Sequence, residues 1–228
     1  MTSQKNNRRA FLRSATRLTT GTLGLTLLPA GMIANAAVAF TADVSPAVAS
    51  DNIIGPKPGY SPQVGTLVAM LTWMRETILR PVQGMTADQL DYLTDDKANT
   101  IGAMLFHLAA TERFYQLHTL DNRQWGDWPE ADKKRFTAAS QLGEVGRKTI
   151  KGNSLEYYLD ILHEVRANTL SAFKTRDDVW LMTVDKNWPW GPTNTYCKWF
   201  HVCEHESNHN GQIKWLKSRL PGAKGGND

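Results

Sequence analysis

From Ser61 onward the apolar residues recur at intervals of three and four, not two. Val64, Leu67, Val68, Leu71, Met74 and Ile78 line one stripe of a helix whose start is marked by Ser61 followed by Pro62. Pro81 and Gly84 end that helix, since proline has no amide to continue the ladder. After the connector TADQLDYLTDDKAN, with a short helical turn of its own, Asn99 or Thr100 can cap a second helix reaching about Leu120. On that helix Met104, His107, Thr111, Phe114 and His118 share an arc of about 80°, so His107 points with the apolar stripe. Residues 121–152 read as a long crossover holding Trp125, Trp128 and one weakly amphipathic stretch, ADKKRFTAASQLGEV. Asn153 with Glu156 makes a capping-box-like start to a third helix, whose buried face carries Leu155, Tyr158, Leu159, Leu162 and Phe173 and which ends near Thr175. The loop DKNWPWGPTN feeds a last helix from about Thr195 to Arg219, stopped by Pro221 and Gly222. No strand alternation of useful length occurs. The fold class expected is all-α: a four-helix bundle with a long helix 2 to helix 3 crossover carrying a short extra helix.

A chain of 228 residues with 41% hydrophobic composition and eight Trp suits one domain with a substantial core. The formal charge of +4 hints at an acidic partner until its source is located. Residues 1–39 hold Lys5, Arg8, Arg9, Arg13 and Arg17 and no acid, so the remainder has 26 − 5 = 21 basic against 22 acidic residues. No argument for nucleic acid survives that subtraction.

The same leader reads as an export signal. Asn7-Arg8-Arg9-Ala10-Phe11-Leu12-Arg13 resembles a twin-arginine motif, followed by a loosely apolar stretch from Leu18 to Leu28 and small-residue cleavage sites at Ala34-Asn35-Ala36 and Ala37-Val38-Ala39. The apolar stretch is too short to span a bilayer core of about 30 Å. The expected organisation is a signal peptide over 1–39, a flexible tether over 40–60, the bundle over 61–222 and a disordered tail over 223–228. The twin-arginine export machinery is then a partner, the destination is periplasmic or otherwise exported, and any metal can be loaded before a folded protein crosses. Cys197 and Cys203 fall on the last helix about 9 Å apart along its axis, beyond disulfide reach, and read as packing residues or half-exposed thiols.

Candidate chemistry lies in the histidines. His205 and His209 sit one turn apart on the last helix, so both can reach a single cation if His107 arrives from a facing helix. Three imidazoles converging where water is scarce each need a partner, and a divalent ion serves all of them. His118 lies about 16 Å along the helix from His107 and belongs to no shared site. His163 sits off its helix stripe and reads as a boundary or surface residue. His201, one turn before His205, is open among three roles: fourth ligand, outer partner that orients a ligand, or wall of the pocket. On the last helix His201, His205, His209, Gln212, Leu216, Val202, Leu220 and Ile213 span about 120°, taken as its inner face. Gln212 on that arc is set either to orient a bound molecule or to make a structural hydrogen bond. Glu112 and Glu206 are placed as solvated helix-face charges in preference to acid/base helpers. Trp188 and Trp190 are candidates for an apolar pocket wall or a plug at the bundle end.

Four segments resemble the DinB-like metal-binding four-helix bundles, a family related to thiol-dependent transferases and maleylpyruvate isomerase domains. They are RETILRPVQGMTADQLDYL, NTIGAMLFHLAATERFY, NSLEYYLDILHEVRANTLSAF and WFHVCEHESNHNGQIKWLKSRL. The last is close to the family pattern His-x3-His-x3-His-x-Gly-Gln, and the resemblance runs from about Ser61 to Pro221. It implies a metal triad of His107, His205 and His209, with His201 outside the usual ligand set. Some relatives have glutamate where His205 stands here. The all-imidazole set suits Zn, Ni or Fe(II) and leaves the ion its full double charge.

Three protein ligands with positions to spare are the mark of a catalytic site. The leading expectation is a metal-dependent hydrolase or thiol S-transferase acting on a small-molecule substrate, with a low-molecular-weight thiol as cosubstrate in the second case. Export away from cytoplasmic thiols leans toward hydrolysis. The alternative is a non-catalytic periplasmic metal-binding or stress protein whose ion is structural, most simply with His201 as fourth ligand. An exposed aromatic surface would also serve as the interface of a homodimer.

Overall fold

The structure is a computed structural model describing residues 52–224. The leader expected over 1–39, the tether as far as residue 51 and the tail beyond residue 224 lie outside the described residues. In chain order the elements are α1 (Pro62–Val82), α2 (Ala87–Leu90), α3 (Ile101–Thr119), α4 (Glu130–Gln141), α5 (Gly143–Thr149), α6 (Leu155–Phe173), α7 (Asp178–Met182), β1 (Val184–Asp185), β2 (Thr193–Asn194) and α8 (Thr195–Lys217). The architecture is all-α, with α1 packed on α8 and α3 held among α4, α6 and α8. None of these helices is long and apolar enough to cross a membrane.

Local sequence explains most element ends. Thr100, Ser154 and Asn194 cap α3, α6 and α8 with side chains that accept the amides of Ala103, Tyr157 and Cys197. The α6 cap is thus Ser154, not the expected Asn153, whose amide donates to the Tyr158 hydroxyl instead. The start of α1 depends on a distant residue. Ser61 does not cap it; the Ser61 hydroxyl donates to Asp178 Oδ1, which also accepts the amides of Gln63 and Val64 at 2.9 and 3.2 Å. A carboxylate is the stronger acceptor at the positive end of a helix. Pro81 lies inside the last turn of α1, which stops one residue later.

Three features depart from the expected layout. The crossover helix is two helices, broken at Leu142 and Gly143, both with positive φ. A short helix, α7, follows α6. The DKNWPWGPTN loop is clasped by a two-residue antiparallel pair, Val184 with Asn194 and Asp185 with Thr193. Lys198, buried on α8, tightens the clasp by donating to Asp185 at 2.9 Å while its ammonium lies 3.8 Å from the Trp188 ring centre.

The core is divided. One apolar cluster gathers Ile78, Met104, Leu108, Phe136, Tyr158, Leu162, Val165, Ile213 and their neighbours. The other gathers Leu67, Leu71, Tyr115, Phe173, Trp188, Trp199, Val202 and Cys203. On each of the four long helices one buried charged residue falls between members of the two clusters: Arg75, Glu112, Arg166 and Glu206. They form one network. Arg166 Nε donates to Glu112 Oε1 at 2.7 Å and Arg75 Nη2 to Glu112 Oε2 at 2.8 Å; both guanidiniums also donate to Glu206 Oε1. Thr169 adds its hydroxyl to Glu112, and Leu71 and Leu162 supply carbonyls to the spare guanidinium donors. Burial pushes the Glu112 carboxyl up, but Arg166 and Arg75 outweigh it and hold it below its ordinary value. Glu112 and Glu206 are therefore not solvated face charges. They are the acid half of a neutral polar layer through the middle of the bundle.

Candidate metal centre

His107 comes from the middle of α3, and His205 and His209 from successive turns of α8, which packs against it. One ring nitrogen from each lies within 4.8 Å of the others. His107 Nε2 and His205 Nε2 are 2.8 Å apart, and the ring centres of the three are 4.7 to 5.0 Å apart. Two nitrogens bound to one tetrahedral Zn at about 2.1 Å stand about 3.4 Å apart, so seating all three asks the His107 and His205 nitrogens to part by roughly half an ångström and His209 to adjust to them. Among the described residues these are the only three such side chains so grouped.

The outer nitrogens fix the rings. His107 Nδ1 faces the Ala139 carbonyl at 2.8 Å, and His209 Nδ1 faces Gln212 Oε1 at 2.9 Å. A carbonyl oxygen only accepts, so each Nδ1 carries the proton and each Nε2 presents a lone pair. Gln212 thereby accepts from His209 and holds its ring. The Ala139 carbonyl, 32 residues away in the crossover, had no side-chain signature by which the sequence could announce it.

Burial is the first cause of low basicity here. It pushes His205 down to about 3, with His209, His107 and His201 adding repulsion, and His209 down to about 4, with His107 adding to it. Burial likewise lowers His107, opposed by the Ala139 carbonyl. The rings stay neutral, the form that binds metals. A sign follows for stability. Unfolded histidines take up protons near 6.5, whereas folded His205 and His209 do not until about 3 and about 4. The unfolded chain holds more protons in that window, so metal-free protein is expected to lose stability steadily as pH falls from about 6.5 toward 4. Urea melts across this range check it; a flat profile contradicts the burial of these rings.

His201 stands beside the group and not in it. Its Nδ1 is paired with the Tyr115 hydroxyl at 2.9 Å, and its ring centre is 5.0 Å from Trp190 and 5.3 Å from His205. That arrangement sets it outside the group of three, with its ring between Trp190 and His205. Tyr115, which the sequence reading did not single out, stays protonated because burial raises its hydroxyl. The two tryptophans part company: Trp188 is 5% exposed and plugs the bundle end, while Trp190 is 52% exposed and faces His201. His118 is buried elsewhere, on the Arg123 carbonyl, and His163 is exposed. Cys197 is exposed and Cys203 buried, both free thiols; burial pushes Cys203 up to about 12.

The buried stripe of α8 runs through Trp199, Val202, Cys203, Glu206, His209, Ile213 and Leu216. His201 and His205 are only half-buried and Gln212 is exposed, so the histidine arc is the flank of the helix and not its centre. The three nitrogens consequently meet near the edge of the bundle. A groove of about 690 Å³ reaches Gln212, the partner of His209, and is bordered also by Asn99, Lys97, Asn208 and Trp215; the three histidines do not line it.

The fold has a solved counterpart in a structure described as the conserved protein of locus from Enterococcus faecalis. It is 16% identical, with TM-score 0.51, over 67% of this chain and 93% of that one, a likeness of fold alone. No curated protein matches the chain. A family profile does, that of Mycothiol-S-transferase, aligned over residues 66–222 and so over all four long helices save the first turn of α1. With the histidine pattern on α8, its partner on α3 and a bundle of this topology in place, the chain belongs to the mycothiol-S-transferase family, a DinB-like family.

Proposed function

We propose that this protein is a metal-dependent thiol S-transferase, holding one divalent transition ion through His107, His205 and His209. One observation carries the reading: three neutral imidazole nitrogens converge at the edge of the bundle with no fourth donor grouped with them among the described residues. The set fits Zn, Ni or Fe(II), since all three donors are nitrogen and two are already oriented by hydrogen bonds to oxygen. A bound ion supplies a double positive charge that lowers the pKa of a small thiol.

The protein's own groups do the rest. Ala139 and Gln212 hold two of the rings in the tautomer that presents Nε2. Trp190 and His201 offer an aromatic surface to an apolar electrophile, and the neighbouring groove that Gln212 shares with Asn99, Lys97 and Asn208 offers hydrogen-bonding groups to a polar thiol long enough to extend past Gln212. In the transfer, the S–H proton passes to solvent water, a sulfur–carbon bond forms and the electrophile's leaving group departs with the displaced electron pair. Hydrolysis would use the same three nitrogens with water in place of the thiol; the family profile weighs for sulfur. The leader motif supports export by the twin-arginine route, so the thiol in question is one available outside the cytoplasm.

The test pairs Zn(II)-loaded protein with low-molecular-weight thiols and an alkylating electrophile, and in parallel with esters and amides without thiol. Thiol-dependent conjugate detected by mass spectrometry is the expected result. Turnover only in the thiol-free arm makes the protein a hydrolase, and an ion bound by four protein donors with no turnover in either arm makes the metal structural.

A further inference from the structure

The crossover helix α4 ends in a way that its own sequence does not require. Leu142 adopts φ 52°, ψ −143°, a backbone region that side chains other than glycine rarely occupy, and Gly143 follows at φ 57°. The Leu142 side chain packs against the apolar cluster around α3 and α6, which helps hold it there. Were α4 to run on, the amide of Gly143 would donate to the carbonyl of Ala139, four residues back. It donates to Asn99 Oδ1 instead, at 2.9 Å. Leu142 N still closes on Ala138 and Gly146 N on Leu142, so the break frees the carbonyls of Ala139, Ser140 and Gln141, and the one that Gly143 N would have taken is that of Ala139. That carbonyl is the one facing His107 Nδ1 at 2.8 Å.

We propose that Asn99 and the break at Leu142–Gly143 form a positioning device for His107, freeing the Ala139 carbonyl to fix that ring as the Nδ1–H tautomer with Nε2 aimed at His205 and His209. Asn99 immediately precedes Thr100, the cap of α3, and so stands at the head of the helix that carries His107. The device therefore closes a loop: the start of α3 holds the end of α4, and the end of α4 holds His107 in the body of α3. Arg147 on α5 adds to the same junction by donating to the carbonyls of Lys97 and Ala98 at 3.1 and 3.2 Å. A free imidazole favours the proton on Nε2, which would block the metal-facing nitrogen; the carbonyl reverses that preference. Asn99 is a positioning residue, two contacts removed from the ion.

This inference rests on the proposed metal site for its functional meaning, but its first readout needs no metal. In the metal-free wild-type protein, nitrogen NMR of His107 is expected to show a protonated Nδ1 and a bare Nε2; an Nε2–H tautomer overturns the proposal. Asn99→Ala is expected to return His107 toward the Nε2–H form and to weaken Zn(II) binding, measured by competition with a chromogenic chelator, by about 10- to 100-fold. Asn99→Asp keeps the acceptor and restores both. An alanine variant that retains wild-type tautomer and affinity overturns the proposal, as does one whose affinity falls only in proportion to its urea stability. If Asn99→Ala does not fold, the wild-type tautomer and the Asp variant decide the matter. Should the wild-type protein bind no Zn(II), the function proposed above fails, and the tautomer still judges this one.

Discussion

Glu112→Ala is expected to destabilise the folded protein by about 3–5 kcal/mol. The carboxylate accepts from Arg166, Arg75 and Thr169 in a site with no solvent exposure, so its removal leaves two guanidiniums sharing Glu206 alone and a net positive charge in the core. Glu112→Gln keeps the shape and loses the charge, and is expected to cost roughly 1.5–3 kcal/mol. Chemical denaturation of the metal-free protein measures both. Replacing Arg75, Glu112, Arg166 and Glu206 together by apolar residues of similar volume is expected to leave stability near or above its starting value, because each buried ion had given up its hydration to be there. A loss of several kcal/mol in that quadruple variant would show the pairing itself to be strongly stabilising. If the layer serves registry instead, the variant folds stably while the histidines on α3 and α8 lose their alignment, visible as weakened Zn(II) binding.

For the metal centre the corresponding change is His205→Ala. A structural Zn site of four donors contributes about 10–16 kcal/mol, so one imidazole carries roughly 3 kcal/mol, or about two orders of magnitude in affinity. The variant is expected to bind Zn(II) about a hundredfold more weakly and to lose thiol transfer measured at limiting metal. Its metal-free stability should move by no more than about 1 kcal/mol, since His205 is half-buried at the bundle edge and makes a single hydrogen bond, from Nε2 to His107 Nε2 at 2.8 Å. Metal titration alongside urea melts separates the outcomes. A variant that unfolds without metal points to a ring that matters for the fold, and one that keeps wild-type affinity removes His205 from the ligand set.

The two helices that meet at the site were legible to different degrees. The helical period placed His205 and His209 on neighbouring turns and set His107 toward the interior, and the close approach of their rings follows from those local facts once α3 packs on α8. The orientation of α8 was less legible. Its histidines share an arc with Val202, Ile213 and Leu216, so the arc looked like the inner face, yet the buried stripe is centred beyond the Val202 and Ile213 edge of that arc, on Trp199, Cys203 and Glu206. A carboxylate at the centre of the buried stripe inverts the hydropathy pattern, and nothing local reveals the two arginines that make it tolerable there. The same holds for Glu112. A wheel assigns a charged residue to the solvent side, but α3 lies among α4, α6 and α8 and has almost no solvent side.

The crossover was legible as a long, weakly helical connector and illegible as part of the site. Its contribution is a backbone carbonyl, exposed by a turn that Leu142 and Gly143 make against local preference. What belongs to the order of residues alone is whatever repeats over a few positions: the number and span of the long helices, most of their caps, and the two imidazoles a single turn apart, all set by the rise and period of a hydrogen-bonded helix. Contact between segments many residues apart settled the remainder: the polar layer through the core, the cap on α1 from Asp178, the flank position of His205 and the hold on His107. Burial and partner choice are properties of the assembled bundle, since the same carboxylate is a surface charge beside water and a core anchor beside two guanidiniums.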